Sequence, residues 1–142
     1  MSFGLLLLRL ALGAIFFAHG AQKVMGWWGG PGIEVFAQHV MSMGMPHFMA
    51  YVAAYAELLG GVAVIIGFLT RLACLGLASN MAVAIWKVHL ANGFFLNWFL
   101  VPGKGHGFEY AMALMAMSLC LLFTGAGKIS IDGFIRGGSN QS

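Results

Sequence analysis

The stretch that decides the fold is "AYVAAYAELLGGVAVII", residues 50–66, an apolar segment with one carboxylate, Glu57, near its centre. Crossing the hydrocarbon layer of a bilayer takes about 20 predominantly apolar residues, and this segment with its neighbours supplies them. At about 100° per residue, Glu57 shares a helix face with small side chains. These are Ala50, Ala53, Ala54, Gly60, Gly61 and Val64. Because small residues let helices approach closely in lipid, we predict that this face and Glu57 lie inside a helix bundle.

The composition of the whole chain is that of an integral membrane protein in contact with the lipid bilayer. Of its 142 residues, 61% are hydrophobic and 8% are charged, and the mean hydropathy is +0.89, well outside the range of soluble domains. Segments long enough to span the membrane cover residues 5–24, 46–69, 72–90 and 108–125. We therefore predict an all-α protein, one four-helix transmembrane domain over residues 1–142 with a short C-terminal tail, 126–142.

The connection between the first two predicted helices has a helical pattern of its own. In "IEVFAQHVM", residues 33–41, apolar side chains recur at helical spacing and polar ones lie between them. This pattern indicates a short helix in the membrane interface, anchored by Trp27 and Trp28. The later connection, "ANGFFLNWFLVPGKGHG", residues 91–107, is too aromatic for a solvated linker. We expect it to cap the bundle or to lie against the membrane.

Charge and cysteine usage exclude several classes of function. The net charge of +3 comes from seven basic residues without a basic run, so the sequence gives no support for nucleic-acid binding. Cys74 and Cys120 form neither a CxxC nor a CxxCH motif, which excludes a thioredoxin-like motif and a c-type haem site. With four spans, four basic residues lie on the side of the termini and three on the other, which favours cytoplasmic termini. The four are Arg9, Arg71, Lys128 and Arg136, and the three are Lys23, Lys87 and Lys104.

Each predicted helix also carries ionisable groups on one face together with small residues, and we predict that these faces point into the bundle. They are Arg9, Leu12, Phe16, His19 and Lys23 on the first helix, Arg71, Ala78, Ala82 and His89 on the third, and Glu109, Ala113, Ala116 and Cys120 on the fourth. An ionisable group inside a membrane costs a few kcal/mol and therefore needs a partner or a function. His19, Lys23, His89 and Glu109 fall in the half of the bundle away from the termini, and Glu57 lies near the midplane. We predict that these five converge on a polar pocket. Arg9 and Arg71 fall at the opposite end, where Asp132 is placed to pair with one of them.

The residues alone leave other interpretations open. Lys23 is long enough to snorkel to the interface, Glu57 could form a purely structural pair with Lys23 or His19, and Glu109 suits a helix N-terminus. Lys87 falls on the Asn80 side of its helix, away from His89, and is interpreted as a lysine that snorkels to the interface. The segment "HVMSMGMPHFM", residues 39–49, has the thioether and imidazole groups that suit Cu(I), but an apolar interfacial face explains it as well, and we assign no metal ligand. Two facing histidines can also hold haem b, which we do not favour here. The histidines concerned are His19, His89 and His106.

Separated motifs give the chain a family resemblance over about residues 5–132. They are "LLLLRLALGAIFFAHGAQKVMGW", "AELLGGVAVIIGFLTRLACLGLASNMAVAIWKVH", "NGFF" and "FEYAMALMAMSLCLLFTGAGKISID". In this order they resemble the DoxX family of small four-helix membrane proteins. The resemblance implies that the family's characteristic groups lie at Arg9, His19, Gly20, Lys23, Glu57, Gly60, Gly61, Arg71, His89, Glu109 and Asp132.

DoxX-like proteins are described as membrane subunits of oxidoreductase systems, including a thiosulfate:quinone oxidoreductase, and as components linked to redox and thiol stress. The resemblance therefore implies a role of this kind in the bacterial inner membrane. Other members accompany biosynthetic clusters for copper-binding peptides. We predict a membrane oxidoreductase subunit that binds a quinone, or another small redox partner, in the polar pocket. Electrons would come from a partner subunit, a soluble oxidoreductase or the substrate. The sequence also leaves open a homo-oligomer, a non-catalytic scaffold that docks a soluble oxidoreductase, and a small transporter or metal-handling protein.

Each predicted site residue has a stated role. Quinone reduction consumes two protons, so Glu57 and His19 are the candidate catalytic proton donors. We assign to His89 a hydrogen bond to a carbonyl of the quinone, and to Lys23 the stabilisation of the negative charge that develops on the quinone. The candidate binding residues are Lys23, His89, Glu109, Arg9 and Arg71.

Overall fold

The computed structural model describes residues 2–100, 102 and 105–139 and contains six α-helices within them. They are α1 (Ser2–Met25), α2 (Gly32–Ser42), α3 (His47–Ile66), α4 (Thr70–Ala84), α5 (Glu109–Thr124) and α6 (Ile131–Ser139). Beyond its last residue, α4 continues as a π-helical turn, Ile85–His89, and a 3-10 turn, Leu90–Asn92. A further 3-10 turn covers Trp27–Gly29. The described residues contain no strand, so the prediction of an all-α protein is confirmed.

Among the residues that the structure describes, three helical segments are long and apolar enough to cross a membrane, namely Phe3–Met25, His47–Ile66 and Thr70–Asn92. The fourth predicted span corresponds to α5, which has 16 residues. At 1.5 Å per residue it is about 24 Å long, less than the roughly 30 Å of a hydrocarbon core. The four-span count therefore stays a prediction. The predicted tail, residues 126–142, contains α6, whose helical backbone extends past Arg136 to Ser139.

The predicted inner faces of the first two membrane helices are confirmed. Arg9, Leu12 and Phe16 of α1 are buried, and α3 buries Ala50, Ala54, Glu57, Gly60, Gly61 and Val64. The two helices touch through glycines. A Cβ on Gly61 would lie 2.5 Å from the backbone nitrogen of Phe17, and one on Gly20 would collide with the backbone of Leu58. The close approach of α1 to α3 thus requires glycine at both positions.

The predicted inner faces of the other two membrane helices are partly wrong. On α5 the small residues Ala113, Ala116 and Cys120 are exposed, and the buried positions are Ala111, Leu114, Ser118 and Leu121. On α4, Ala78 is buried as predicted, but Arg71 and Ala82 are exposed. The physical reason is that the large side chains Leu77, Leu114 and Leu121 fill the core between α1, α4 and α5.

The segment between α1 and α3 folds into the predicted short helix, α2. Its buried residues Ala37 and Val40 pack on Ala50 of α3. Trp27 and Trp28 precede it and are 48% and 65% exposed, as interfacial anchors would be. The later connection folds back on itself, since the amides of Gly107, Phe108 and Glu109 donate to the carbonyls of Phe95, Gly93 and Phe94. Lys104 lies outside the described residues.

Asp132 of α6 caps the start of α4. Its two carboxylate oxygens accept hydrogen bonds from the backbone amides of Leu69 and Thr70, both at 2.9 Å. These amides begin a helix and have no partner within it. Asp132 thus returns to the end of the bundle that holds Arg9 and Arg71, as the sequence predicts, but among the described residues it binds these amides and forms no ion pair with either arginine. Burial of the carboxyl acts to raise its pKa, but the backbone hydrogen bonds from Thr70 and Leu69 and the charge of Arg136 together hold the pKa below its ordinary value.

This cap predicts a pH dependence of stability. Because the pKa of Asp132 is lower in the folded chain than in the unfolded one, its contribution is complete above the unfolded value of 3.8 and is lost as the pH falls through the folded value. We expect Asp132→Asn to cost about 1 kcal/mol at neutral pH and to weaken the loss of stability in acid. Thermal unfolding in detergent, followed by circular dichroism from pH 7 downwards, measures both. Equal acid sensitivity of the two proteins would contradict the assignment.

Candidate functional site

A cavity of about 680 Å³ opens between α1, α2, α3, α4 and α5. The loop before α5 closes one side of it through Leu96, His106 and Gly107. Most of the wall is apolar, with polar side chains spread around it. The polar lining residues are His19, Lys23, His39, Glu57, Ser79, Asn80, Lys87, His89, His106 and Tyr110. A largely apolar cavity of this size with a few polar groups is typical of a small-molecule site.

Glu57 is the most deeply buried polar group of the cavity. Only 2% of its surface is exposed. Its Oε1 accepts a hydrogen bond of 2.6 Å from Lys23 Nζ, in an ion pair, and one of 3.0 Å from Asn80 Nδ2. Its Oε2 has no hydrogen-bond partner among the described residues. A buried oxygen without a partner is costly unless something else binds it.

Lys23 and Asn80 are themselves held in place. The Lys23 side chain is 25% exposed, and its Nζ lies 5.1 Å from the centre of the Phe36 ring on α2. Asn80 Nδ2 also donates to the carbonyl of Ala53 at 3.2 Å. Because a carbonyl oxygen only accepts, this contact fixes which end of the amide is the donor. Lys23 of α1 and Asn80 of α4 thus hold the Oε1 atom of Glu57 in place.

His19 and Tyr110 form a pair of rings in the cavity wall. Their ring centres are 6.2 Å apart at an interplanar angle of 50°. His19 lies one helical turn before Lys23, which places both side chains on the same face of α1. The structure therefore brings the two candidate catalytic residues, Glu57 and His19, to one cavity.

His89 lies at the end of the π-helical turn. Its Nδ1 is 3.0 Å from the carbonyl oxygen of His106, so Nδ1 carries the proton and donates it. His106 Nδ1 in turn accepts a hydrogen bond of 2.8 Å from the amide of Asn97. A π-helical turn is wider than an α-helical one and is often found at functional sites. Here it adds Lys87, Val88 and His89 to the cavity wall.

Three of the predicted binding residues lie away from this cavity. Glu109 is half-buried at the start of α5 and is not among the lining residues of the cavity. Arg9 is buried at the other end of the bundle, where it donates to four backbone carbonyls. Arg71 is exposed and lines a separate cleft of about 260 Å³ together with Asp132 and Arg136. The structure brings His19, Lys23, Glu57 and His89 together and leaves these three apart.

The sequence prediction missed several residues of the wall. Asn80 could have been identified from the sequence, because a side-chain amide in the middle of an apolar helix also needs a hydrogen-bond partner. Tyr110 lines the cavity although the adjacent Glu109, which was predicted to do so, does not. Lys87 was predicted as a snorkelling residue on the side away from His89, but both line the cavity.

The methionine-rich segment also reaches the cavity. Met43, Met45 and Met49 line it with His39, and they pack beside Ala37, Val40 and Ala50. In the part of the chain that the structure describes, no three His, Cys, Asp or Glu side chains lie close enough together to hold a metal ion. In this structure the methionines form apolar wall and core contacts, as expected for an apolar face.

Comparison with known proteins adds a family and relatives. The model of the DoxX family matches residues 4–90. The chain is similar to "Putative oxidoreductase CatD" of Bacillus subtilis (strain 168), with 38% identity over 138 residues, 97% of this chain and 91% of the relative. It is also similar to "Inner membrane protein YqjF" of Escherichia coli (strain K12), with 28% identity over 129 residues, 91% of this chain and 89% of the relative. No solved structure matches the chain significantly.

Proposed function

This chain belongs to the DoxX family of membrane proteins, and we propose that it is a membrane subunit of an oxidoreductase system that binds a quinone or a redox partner of similar size. The name of one relative refers to an oxidoreductase and that of another to the inner membrane. Both names fit a bacterial inner-membrane protein whose apolar spans contact lipid. A partner subunit or a soluble oxidoreductase would supply or receive the electrons.

The observation that carries the proposal is the buried carboxylate of Glu57, which lines a large apolar cavity and has one oxygen without a hydrogen-bond partner among the described residues. The cavity volume, about 680 Å³, falls in the range of roughly 300–1,000 Å³ found for small-molecule sites. An aromatic ring suits the apolar wall, and a polar substituent on the ring suits Glu57. A quinone or its reduced form has both parts in one small molecule.

The residues around Glu57 suit the proton chemistry of such a ligand. Interconversion of a quinone and its reduced form moves two protons, so groups that exchange protons must lie beside the ring oxygens. Glu57 and His19 are the candidates, with Tyr110 beside His19. Lys23 holds Glu57 in place and places positive charge near any negative charge that develops on the ring oxygen.

Quinone retention tests the proposal. We expect protein purified from membranes in a mild detergent to release a quinone when it is extracted with organic solvent. Ala56→Trp should strongly lower this retention, because Ala56 lines the cavity and precedes Glu57 in the chain, and an indole ring there would take up part of the space for the ligand. Ala116→Trp is the matched control, since the same change is made at an exposed position of α5. Equal quinone content in the two variants, or none in the unmodified protein, would contradict the proposal.

A further inference from the structure

The hydrogen-bonding pattern around Glu57 carries an inference about the chemical form of the ligand. We infer that the cavity binds its aromatic ligand in the reduced, hydroxyl-bearing form, with a ring hydroxyl donating to Glu57 Oε2. This rests on the proposed function and goes further, because a quinone and its reduced form have nearly the same shape but opposite hydrogen-bonding groups. A quinone oxygen only accepts hydrogen bonds, whereas a hydroxyl group also donates.

Two donors satisfy one oxygen of Glu57 and leave the other as an acceptor. Lys23 Nζ and Asn80 Nδ2 both donate to Oε1, at 2.6 and 3.0 Å. In the ion pair with the Lys23 ammonium, the carboxylate has no proton to donate. Oε2 is buried and unpartnered among the residues described, so the group that completes its bonding must be a donor.

A carbonyl oxygen beside Oε2 would place two acceptors against each other. Both would then be buried without a hydrogen bond, which is unfavourable in a low-dielectric site. A hydroxyl group in the same place forms a hydrogen bond to a carboxylate, which is among the stronger kinds. Discrimination by an unpaired buried group is larger than discrimination by shape. The site therefore distinguishes the two redox forms through a single contact.

His89 points to the same form of the ligand. Its Nδ1 donates to the carbonyl of His106, so in the neutral imidazole the other ring nitrogen, Nε2, is an acceptor. His89 lines the same cavity as Glu57. A ligand with two hydroxyl groups offers a donor to each of these acceptors. This replaces the sequence-based expectation that His89 donates to a ligand carbonyl.

The variant Glu57→Gln gives a sharp test, because the structure fixes the orientation of the new amide. Lys23 and Asn80 donate to the position of Oε1, so the glutamine must place its carbonyl oxygen there and its NH₂ group at the position of Oε2. The substitution thereby turns an acceptor in the cavity into a donor. We expect the preference of the site to reverse, from the hydroxyl form to the carbonyl form.

Anaerobic isothermal titration with menadiol and menadione measures this preference. For the unmodified protein in detergent, menadiol should bind at least about tenfold more tightly than menadione, a ratio expected for one hydrogen bond to a charged group. In Glu57→Gln the ratio should invert. Glu34→Gln is the matched control, since it makes the same change at an exposed residue that does not line the cavity, and it should keep the original ratio.

The outcomes separate this inference from the proposed function. Equal binding of both forms, or tighter binding of menadione, by the unmodified protein would overturn the inference and leave the proposed function standing. An unchanged ratio in a folded Glu57→Gln protein would overturn the role given to Oε2. Binding of neither form to the unmodified protein would overturn both. Because the first comparison uses no variant, the inference stays open to refutation even if Glu57→Gln fails to fold.

Discussion

Replacing Arg9 with methionine is expected to lower the free energy of unfolding by roughly 4 kcal/mol or more. The Arg9 side chain is 2% exposed. Its guanidinium donates to the carbonyls of Val64 and Ile65, each at 3.0 Å, and of Ala126 and Ile129, at 2.9 and 2.7 Å. The first two belong to the last turn of α3, whose carbonyls have no partner within the helix. Methionine would fill the space but remove the donor from four carbonyl acceptors, two in buried and two in partly buried hydrogen bonds.

Arginine at this position acts through geometry as well as charge. A guanidinium has five N–H groups in a planar fork, whereas a lysine ammonium is a single point charge. Arg9→Lys should therefore recover only part of the lost stability. Arg71→Met serves as the control, because Arg71 lies at the same end of the bundle but is exposed, and it should change stability by less than about 1 kcal/mol. Unfolding of the purified variants in detergent gives the comparison. A stable Arg9→Met protein would show that the carbonyl contacts are dispensable.

Lys23→Met is expected to have the second large effect, a loss of about 3–5 kcal/mol of stability. The substitution leaves Glu57, which is 2% exposed, without the cation that now lies 2.6 Å from it. The double variant Lys23→Met/Glu57→Leu should recover most of the loss, since an apolar pair of similar size often replaces a buried ion pair at little cost. The two single variants and the double variant form a thermodynamic cycle.

The same double variant separates structure from function at this pair. If the ion pair holds a ligand site, the double variant should fold well but retain no quinone after purification. If the pair only sets the register of α1 against α3, the double variant should retain as much quinone as the unmodified protein. Quinone extraction from the stable double variant decides between the two. A double variant no more stable than Lys23→Met would contradict the coupling between Lys23 and Glu57.

The inner faces of α1 and α3 could be predicted from sequence because two kinds of residue identify the inner face of each helix. Each carries glycines or alanines where the helices touch, and each carries an ionisable group that lipid does not tolerate on its own. These two signals together are enough to place Arg9 and Glu57 inside the bundle. The partners of Arg9 were harder to predict, because they are backbone carbonyls, which every residue has.

The face of α5 could not be predicted in this way. Its residues are apolar on all sides, so hydropathy gives no contrast between lipid and protein. Small residues at Ala113 and Ala116 suggested a contact face, but both are exposed and the larger Leu114 and Leu121 are buried. Without the ordinary contrast of polar and apolar faces, a stripe of alanines is a weak indicator of packing.

The π-helical turn at Ile85–His89 and the place of Lys87 in the cavity wall were not predicted from the sequence. An α-helical projection puts Lys87 on a different side from His89, yet both line the cavity. No residue in this turn is glycine or proline, so the sequence offers no local mark of the change in helix type. The cavity was predicted in outline from single ionisable residues. The wall also contains Lys87, Val88 and His89 of this turn, and the ionisable residues do not reveal that the turn is π-helical.

An aromatic redox ligand beside Glu57, in the cavity between the helices, is central to the proposed function. A crystal structure of the protein grown anaerobically with menadiol tests this placement most directly. We predict electron density for the ring inside the cavity, with one hydroxyl oxygen within hydrogen-bond distance of Glu57 Oε2. Density for the ring only on the lipid-facing surface, with the cavity free of ligand, would contradict the placement.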